Sequence, residues 1–319
     1  MDKMTTDEEF IELWGKNPSI TEISKITGVS TRNVASRRRR IEERHSIKLA
    51  GVGPKSPDFQ VTYAQNNIRT KVELQDGIIV VASDCHYWPG IVSTAHRALV
   101  KIISELKPKM VVINGDAFDG ASISRHPPIG WAVTPTVKQE LEACQDRLTE
   151  VEDAARQARL HWTWGNHDMR FNTKLSCQVG DTFKGIVGMN LTDHFAKWKF
   201  STSIMVNNKC MIKHRWHNGI HAVYNNTVKS GTSIVTGHLH SLKVTPWTDY
   251  QGTRYGVDTG TLACPTGDQF EYTEDNSVNH RSGFAVLTFY KGKLMPPELC
   301  EVIDEDEGLV YFRGQVVKC

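Results

Sequence analysis

Long apolar runs are missing from this sequence of 319 residues. A membrane-spanning helix needs about 20 consecutive apolar residues, and no segment approaches that length. The first residues are acidic and amphipathic, which does not fit the basic and apolar pattern of a secretory signal peptide. Hydrophobic residues make up 39% and charged residues 23%, as is typical of a globular protein. We therefore expect a cytoplasmic protein that does not bind membranes.

Paired cysteines are missing as well. The seven cysteines are odd in number and scattered, and they include no C-x-x-C pair. This usage indicates free thiols in a reducing compartment rather than a disulfide framework. We expect none of the cysteines to be catalytic.

Three short helices are predicted near the start of the chain. Thr6 and Glu9 form a capping box ahead of the first helix, and Ser19 and Ser30 are placed to begin the second and third. Gly28 predicts a tight turn between the last two helices. Two short helices separated by a glycine turn resemble a helix-turn-helix, whose second helix contacts DNA.

Positive charge is concentrated in the third predicted helix. Residues 31–48 hold seven Lys or Arg against two Glu, a local net charge of +5, although the whole chain carries only +2. We prefer contact with nucleic acid to the alternatives, a solvated helix face or a protein-interaction module. The candidate nucleic-acid-binding residues are Arg32, Arg37, Arg38, Arg39, Arg40 and Arg44.

The composition changes after this module. Residues 49–57 hold two glycines and two prolines, which predicts a linker. We therefore place a nucleic-acid-binding domain at 1–50 and a second domain at 58–319. In the second domain helices and strands alternate first and strands dominate later, which favours an α/β fold of two packed sheets flanked by helices. Its longest predicted elements are helices over 136–160 and 181–198 and a last strand over 309–317.

Four strand ends in the second domain lead into loops that carry Asp, Asn or His. Because each loop follows an apolar, β-branched run, we predict that they assemble one site from distant segments. Carboxylate, amide and imidazole ligands without a thiolate suit Mn, Fe or Zn. The segments are Asp-Cys-His at 84–86, Gly-Asp-Ala-Phe-Asp at 115–119, Trp-Gly-Asn-His-Asp at 164–168 and Gly-His-Leu-His at 237–240.

Taken in order, these segments resemble the calcineurin-like metallophosphoesterase superfamily. The shared pattern is D-x-H, G-D-x-x-D, G-N-H-D, a lone His and G-H-x-H. The resemblance implies a two-sheet metallophosphoesterase sandwich and two divalent transition-metal ions that hold a hydroxide nucleophile between them. Mn is favoured, with Fe, Zn or Ni as alternatives. By resemblance Asp116 bridges both ions. The other implied ligands are Asp84, His86 and His240 for the first ion and Asn166, His214 and His238 for the second.

Several residues of the pattern have roles other than metal binding. The resemblance implies that His167 donates a proton to the leaving oxygen or stabilises phosphoryl charge. Asp168 is expected to orient that imidazole or to hold the loop, and Asp119 to support the ligands from behind. Three histidines compete for the position of the lone His. His214 directly ends an apolar strand and is preferred, with His217 as the alternative and His221 as a more distant one.

The paired ligands suggest how the strand ends are arranged. In an extended segment, residues i and i+2 face the same side. Asp84 and His86 would then face the site together, as would His238 and His240, while Cys85 would point away from it.

The combined pattern predicts a phosphodiesterase or nuclease that acts on DNA. The G-N-H-D form also occurs in double-strand-break repair nucleases of the superfamily, whereas Ser/Thr protein phosphatases carry G-N-H-E. Arg125 and His126 are candidates for binding substrate phosphate. One alternative is a phosphomonoesterase, or a phosphodiesterase for nucleotides or cyclic nucleotides. Another is a non-catalytic DNA-binding regulator with a relic phosphatase fold, which the complete set of ligand types disfavours.

Overall fold

The computed structural model divides the chain into two compact units, residues 1–57 and 58–319. The linker expected over 49–57 lies outside the described residues apart from Leu49. The structure describes residues 6–16, 19–47, 49, 59–62, 68–126, 130 and 133–319.

The first unit is a small helical module. It contains α1 (Asp7–Lys16), α2 (Ile20–Thr27) and α3 (Thr31–Arg44). The predicted capping box at the start of α1 is confirmed, because the backbone N–H of Thr6 donates to Glu9 Oε2 at 2.8 Å and that of Glu9 donates to Thr6 Oγ1 at 3.2 Å. Gly28 takes the left-handed conformation (φ 73°) after α2, as the predicted turn requires. The core of the module consists of Phe10, Trp14, Ile23, Val34, Ile41 and Leu49.

The second unit contains two sheets and the remaining helices. The helices are α4 (Thr94–Leu106), α5 (Val137–Ala154), α6 (Asp168–Val179) and α7 (Ala222–Ser230). The strands are β1 (Phe59–Thr62), β2 (Arg69–Leu74), β3 (Gly77–Ala82), β4 (Met110–Ile113), β5 (Arg159–Thr163), β6 (Lys199–Ser201), β7 (Ser203–Val206), β8 (Cys210–Ile212), β9 (Ser233–Thr236), β10 (Lys243–Asp249), β11 (Gly252–Asp258), β12 (Gly283–Tyr290), β13 (Lys293–Leu294), β14 (Glu298–Asp304), β15 (Leu309–Phe312) and β16 (Gln315–Lys318).

Both sheets are mixed. One has the strand order β1-β2-β7-β8-β9-β11-β10, and β8 and β9 run parallel in it. The other has the order β16-β15-β14-β12-β3-β4-β5-β6, with β13 paired to β12. Strands β3, β4, β5 and β6 are parallel, whereas β12 pairs with β3 antiparallel. Two mixed sheets with flanking helices confirm the predicted fold class.

Strand β3 shows how the layers are held together. Its side chains alternate between two cores, as the two-residue period of a strand requires. Ile79 and Val81 belong to the core that also takes side chains from the first sheet, whereas Val80 and Ala82 belong to the core that contains residues of α4 and α5. Burial on both faces explains why β3 reads as a continuous apolar run.

The helix predicted over 181–198 is wrong. Short 3₁₀ turns at Gly180–Phe183 and Leu191–His194 lie there instead. Gly185 and Gly188 have φ angles of 84° and 94°, which an α-helix cannot accommodate.

Two further elements differ from the prediction. The long helix α5 ends at Ala154, because the chain then turns into β5. The last predicted strand is a hairpin of β15 and β16, and it turns at Arg313 and Gly314, which both have positive φ. Among the described residues, no helix is long and apolar enough to cross a membrane.

Candidate metal centre

The candidate ligands lie after the carboxyl ends of five strands. Strands β3, β4 and β5 are parallel neighbours in one sheet, and β8 and β9 are parallel neighbours in the other. Side chains that follow parallel strands gather at one edge of a sheet, where α/β proteins bind ligands. Asp84 and His86 follow β3, Asp116 follows β4, Asn166 follows β5, His214 follows β8, and His238 and His240 follow β9.

Six of these side chains form two groups of three. Ligand atoms of Asp84, His86 and His240 all lie within 4.8 Å of one another. The same holds for Asp116, His214 and His238. This division is the one that the resemblance implies for the two ions, with Asp116 in the second group.

Asn166 and His217 complete the comparison with the predicted ligands. The Asn166 Oδ1 atom is buried and has no hydrogen-bond partner within the described part of the chain, as an oxygen reserved for a cation would be. His217 belongs to none of the ligand groups found in that part. Its ring stacks on Trp216 at 4.9 Å, and its backbone N–H donates to Asn226. The structure therefore brings His214, and not His217, to the other ligands.

Hydrogen bonds fix which imidazole nitrogen faces the site. His86 Nδ1 lies 2.7 Å from Asp119 Oδ1, and His214 Nδ1 lies 2.7 Å from the carbonyl oxygen of Asn114. The Nε2 atom of His86 is buried without a hydrogen-bond partner among the described residues, and the Nε2 atom of His214 faces Asp116 Oδ2 at 3.0 Å. Ligating histidines are usually held in this way by a partner on the other nitrogen. The residues present thus fit two divalent transition-metal ions.

The electrostatics of the cluster also suit cations. Burial raises the pKa of Asp84, but the imidazoles of His240 and His214 outweigh burial and hold that pKa at about 2. Burial also acts against ionisation of Asp116, and His214 reverses that effect and lowers its pKa. For His214 burial lowers the pKa, whereas Asp116 and Asp84 raise it to about 10. Both carboxylates are therefore charged at neutral pH and need positive partners.

The backbone at the ligands is left-handed, so the expectation of extended strand ends is wrong. Left-handed φ angles cost non-glycine residues about 1–3 kcal/mol each and concentrate at functional sites. The turns bring i and i+2 side chains to one place without a pleat, and Cys85 lies in the apolar core beside them. The φ angles are 51° at Asp84, 40° at His86, 54° at Asp116, 74° at His238 and 54° at His240.

The glycines of the motifs leave room for the ligands. A Cβ atom at Gly115 would overlap the ring of His214, and one at Gly165 would overlap the carboxylate of Asp116. A Cβ atom at Gly237 would likewise overlap the carboxylate of Asp84. Substitution of any of the three would displace a candidate ligand.

His167 lies beside the ligands but has partners on both ring nitrogens. Its Nδ1 lies 2.9 Å from Asp119 Oδ1, and its Nε2 lies 3.0 Å from a guanidinium nitrogen of Arg170. His167 also falls within 4.8 Å of ligand atoms of His86 and Asp116. A neighbouring guanidinium disfavours a metal ion at this nitrogen, so the contacts suit a group that acts on substrate.

Asp168 holds the loops rather than the imidazole. Its carboxylate is fully buried and accepts hydrogen bonds from the backbone N–H groups of Asp116 at 2.8 Å and Gly165 at 2.9 Å, and from Trp162 Nε1 at 2.9 Å. Burial and the nearby Asp116 raise the pKa of Asp168 to about 6. Of the two roles considered for Asp168, its contacts match the structural one. Asp119 is the carboxylate that contacts His167.

A cleft of about 590 Å³ opens beside His167. The candidate phosphate-binding residues Arg125 and His126 line it, together with Asn166 and His167. Arg170 also lines this cleft, and sequence reasoning missed it. Its position three residues after His167, on the same face of a helix, was the available signal.

The predicted nucleic-acid-binding arginines of the first unit divide into two sets. Arg37 and Arg38 lie over the rings of Phe10 and Trp14, at 5.1 Å and 4.9 Å. Arg44 forms a 2.6 Å ion pair with Asp7 in the first turn of α1. These three arginines therefore have partners inside the module, and their contact with DNA stays a prediction.

The other set remains available to a partner. Arg32, Arg39 and Arg40, called here the outer arginines, are exposed on α3. They form no ion pair within the described residues of the module. Among the described residues of α3, the exposed positive charge that has no ion-pair partner is thus carried by these three side chains.

Comparison with known proteins gives the family. The family model of the calcineurin-like phosphoesterases matches residues 78–258, a stretch that contains every candidate metal ligand. The chain therefore belongs to the calcineurin-like phosphoesterase family, whose members are hydrolases acting on phosphate esters. A search of curated proteins found no match.

Proposed function

We propose that the protein is a metal-dependent phosphodiesterase that acts on DNA. The observation that carries the proposal is the combination, in one chain, of a phosphoesterase unit with a helical module that exposes the outer arginines on α3. A glycine turn between two short helices supports a helix-turn-helix interpretation of that module. Guanidinium groups on the second of these helices suit DNA phosphates.

The proposed chemistry assigns a task to each group of residues. The two triads and Asn166 hold two divalent transition-metal ions, which supply Lewis-acid activation of phosphate and water. His167 lines the cleft, and it donates a proton from Nε2 to the leaving oxygen once substrate phosphate has drawn the guanidinium of Arg170 away from this nitrogen. Asp119 holds His167 through Nδ1 and His86 through the same carboxylate, so one side chain aligns a ligand and the proton donor. Asp168 keeps both loops in place.

A second candidate is a phosphoesterase for small nucleotides. The cleft volume of about 590 Å³ lies in the range of small-molecule sites. Residues 51–319 also carry no net charge, since the first 50 residues account for the whole of the +2. In this case the helical module would serve a purpose other than bringing the enzyme to its substrate.

Two measurements separate the candidates. Mn-dependent turnover of bis-p-nitrophenyl phosphate, p-nitrophenyl phosphate, and single- and double-stranded DNA gives the substrate class, and the proposal expects the diester and DNA to be cleaved. DNA affinity in EDTA tests the module. Replacement of the outer arginines by Ala should lower the slope of log affinity against log salt by up to about 3, at about 0.9 per neutralised phosphate.

The control replaces Lys71, Arg156 and Lys229 by Ala. These residues are exposed on the second unit, and their replacement removes the same amount of charge. An unchanged salt slope for the outer-arginine variant, or an equal change in the control, would assign the module to another task. Turnover of small phosphates without cleavage of DNA would favour the second candidate.

A further inference from the structure

Helix α6 presents a polar stripe to the cleft beside the metal centre. The helix begins at Asp168, directly after the loop that carries Asn166 and His167. Its cleft-lining residues recur at the three- and four-residue spacing of one helix face. They are Arg170, Thr173, Lys174, Cys177 and Gln178, and Met169 of the same helix also lines the cleft.

Positive charge in this cleft is unbalanced. Arg125 and Arg215 line it from other loops, and no carboxylate is among its described lining residues. Within the part of the chain that the structure describes, Arg125, Lys174 and Arg215 form no ion pair. The cleft thus holds three cations that have no ion-pair partner among the described residues.

The extent of the stripe exceeds what one phosphate needs. A helix rises about 1.5 Å per residue, so Arg170 and Gln178 are separated by about 12 Å along α6. A strand of B-form DNA advances about 3.4 Å per nucleotide. Successive phosphates lie farther apart than this axial rise, because the backbone winds around the axis, so a scissile phosphate beside His167 would leave room for at least one further phosphate along the helix.

We propose that this cleft binds the phosphates that follow the scissile one in a polynucleotide strand. Arg170 lies nearest to the reacting group through its contact with His167, whereas Lys174 and Arg215 contact more distant phosphates. The substrate of the site is then a strand of several nucleotides rather than a mononucleotide or a cyclic nucleotide. The inference rests on the proposed function, because it takes DNA as the substrate and names the side chains that hold it.

The test measures how activity depends on substrate length. The full-length chain with the outer arginines replaced by Ala serves as background, so that the module does not dominate binding. Lys174→Ala and Arg215→Ala are compared with the background on a ten-nucleotide single strand, a dinucleotide and bis-p-nitrophenyl phosphate. Lys229→Ala and Arg156→Ala are the matched controls, since each removes one exposed charge outside the cleft.

We expect kcat/KM on the ten-nucleotide strand to fall by about tenfold in each cleft variant, which corresponds to a charged hydrogen bond. The fall should be smaller on the dinucleotide and smallest on bis-p-nitrophenyl phosphate. In EDTA, the salt slope of strand binding should drop by about 0.7 for each phosphate that the variant no longer neutralises. The controls should match the background on all substrates.

Two results would contradict the inference in distinguishable ways. Cleavage of the strand with equal reductions in cleft variants and controls would refute the cleft while leaving the proposed function in place. Cleavage of bis-p-nitrophenyl phosphate with no cleavage of any strand by the wild-type protein would refute the proposed function, and the inference with it.

Discussion

His167→Ala tests whether His167 is a proton donor. The ring touches Asp119 and Arg170, and neither ring nitrogen is left over for a metal ion. Its removal should therefore leave metal binding intact. General acid catalysis is worth ~10²–10⁴ in rate, so kcat on a DNA strand should fall by that factor, equivalent to about 3–5 kcal/mol.

The fall should depend on the leaving group. A nucleotide alkoxide needs a proton as the bond breaks, whereas p-nitrophenolate leaves as a stable anion. The assay compares kcat for a DNA strand and for bis-p-nitrophenyl phosphate in the wild-type protein and the variant, with metal content measured in parallel. His221→Ala is the control, because His221 is an exposed histidine at the start of α7.

Two outcomes would refute the acid role. A similar loss of ~10²–10³ on both substrates is what removal of a group that stabilises phosphoryl charge would give. Loss of a metal ion from the variant would instead make His167 a ligand, as its distance to His86 and Asp116 allows.

Three further predictions concern single side chains. His214→Ala should lose the second metal ion and most of the activity, whereas His217→Ala should stay close to wild type in metal content and kcat. The opposite ranking would mean that His217, and not His214, is the ligand. Asp119→Asn should lower metal affinity or activity by ~10–100-fold, because the carboxylate aligns His86 and His167. Unchanged metal affinity and kcat would show that this alignment does not matter for the site. Burial raises the pKa of Glu140 in α5 to about 8, and its Oε1 accepts from the backbone of Ala121 at 3.0 Å. The folded state therefore binds a proton that the unfolded state releases above about pH 4.3, so the unfolding free energy should fall as pH rises from about 4.3 to 8. Glu140→Gln should remove that pH dependence, and at pH 9 its unfolding free energy should exceed that of the wild type by up to about 5 kcal/mol more than at pH 4. If the unfolding free energies of the two proteins, measured by chemical denaturation, change in parallel over this pH range, the prediction is wrong.

The sequence predicted the fold class and the places of the candidate ligands because both depend on short local patterns. Apolar runs of β3, β4 and β9 are buried on both faces, and each is followed by a polar motif. The predicted ligands Asp84 and His214 were found at strand ends for this reason. The geometry that gathers them could not be read from alternation, since positive φ angles depend on how two loops pack together.

Other features needed the tertiary structure. Helix α6 was not predicted, although it begins in the G-N-H-D motif, because that motif by itself indicates a turn. The helix predicted over 181–198 ignored Gly185 and Gly188, which interrupt it with positive φ angles. The contacts of Arg37 and Arg38 with aromatic rings are tertiary contacts within the module, so counting charges along the sequence could not reveal them.

The most direct test is the number of metal ions bound. The number of bound Mn ions is measured in the wild-type protein and in Asp116→Asn, both saturated with Mn. The comparison tests whether the two triads share the carboxylate of Asp116. We predict two ions per chain in the wild-type protein, and loss of at least one ion with most of the activity in the variant. A fully active wild-type protein that binds at most one ion would contradict the dinuclear site.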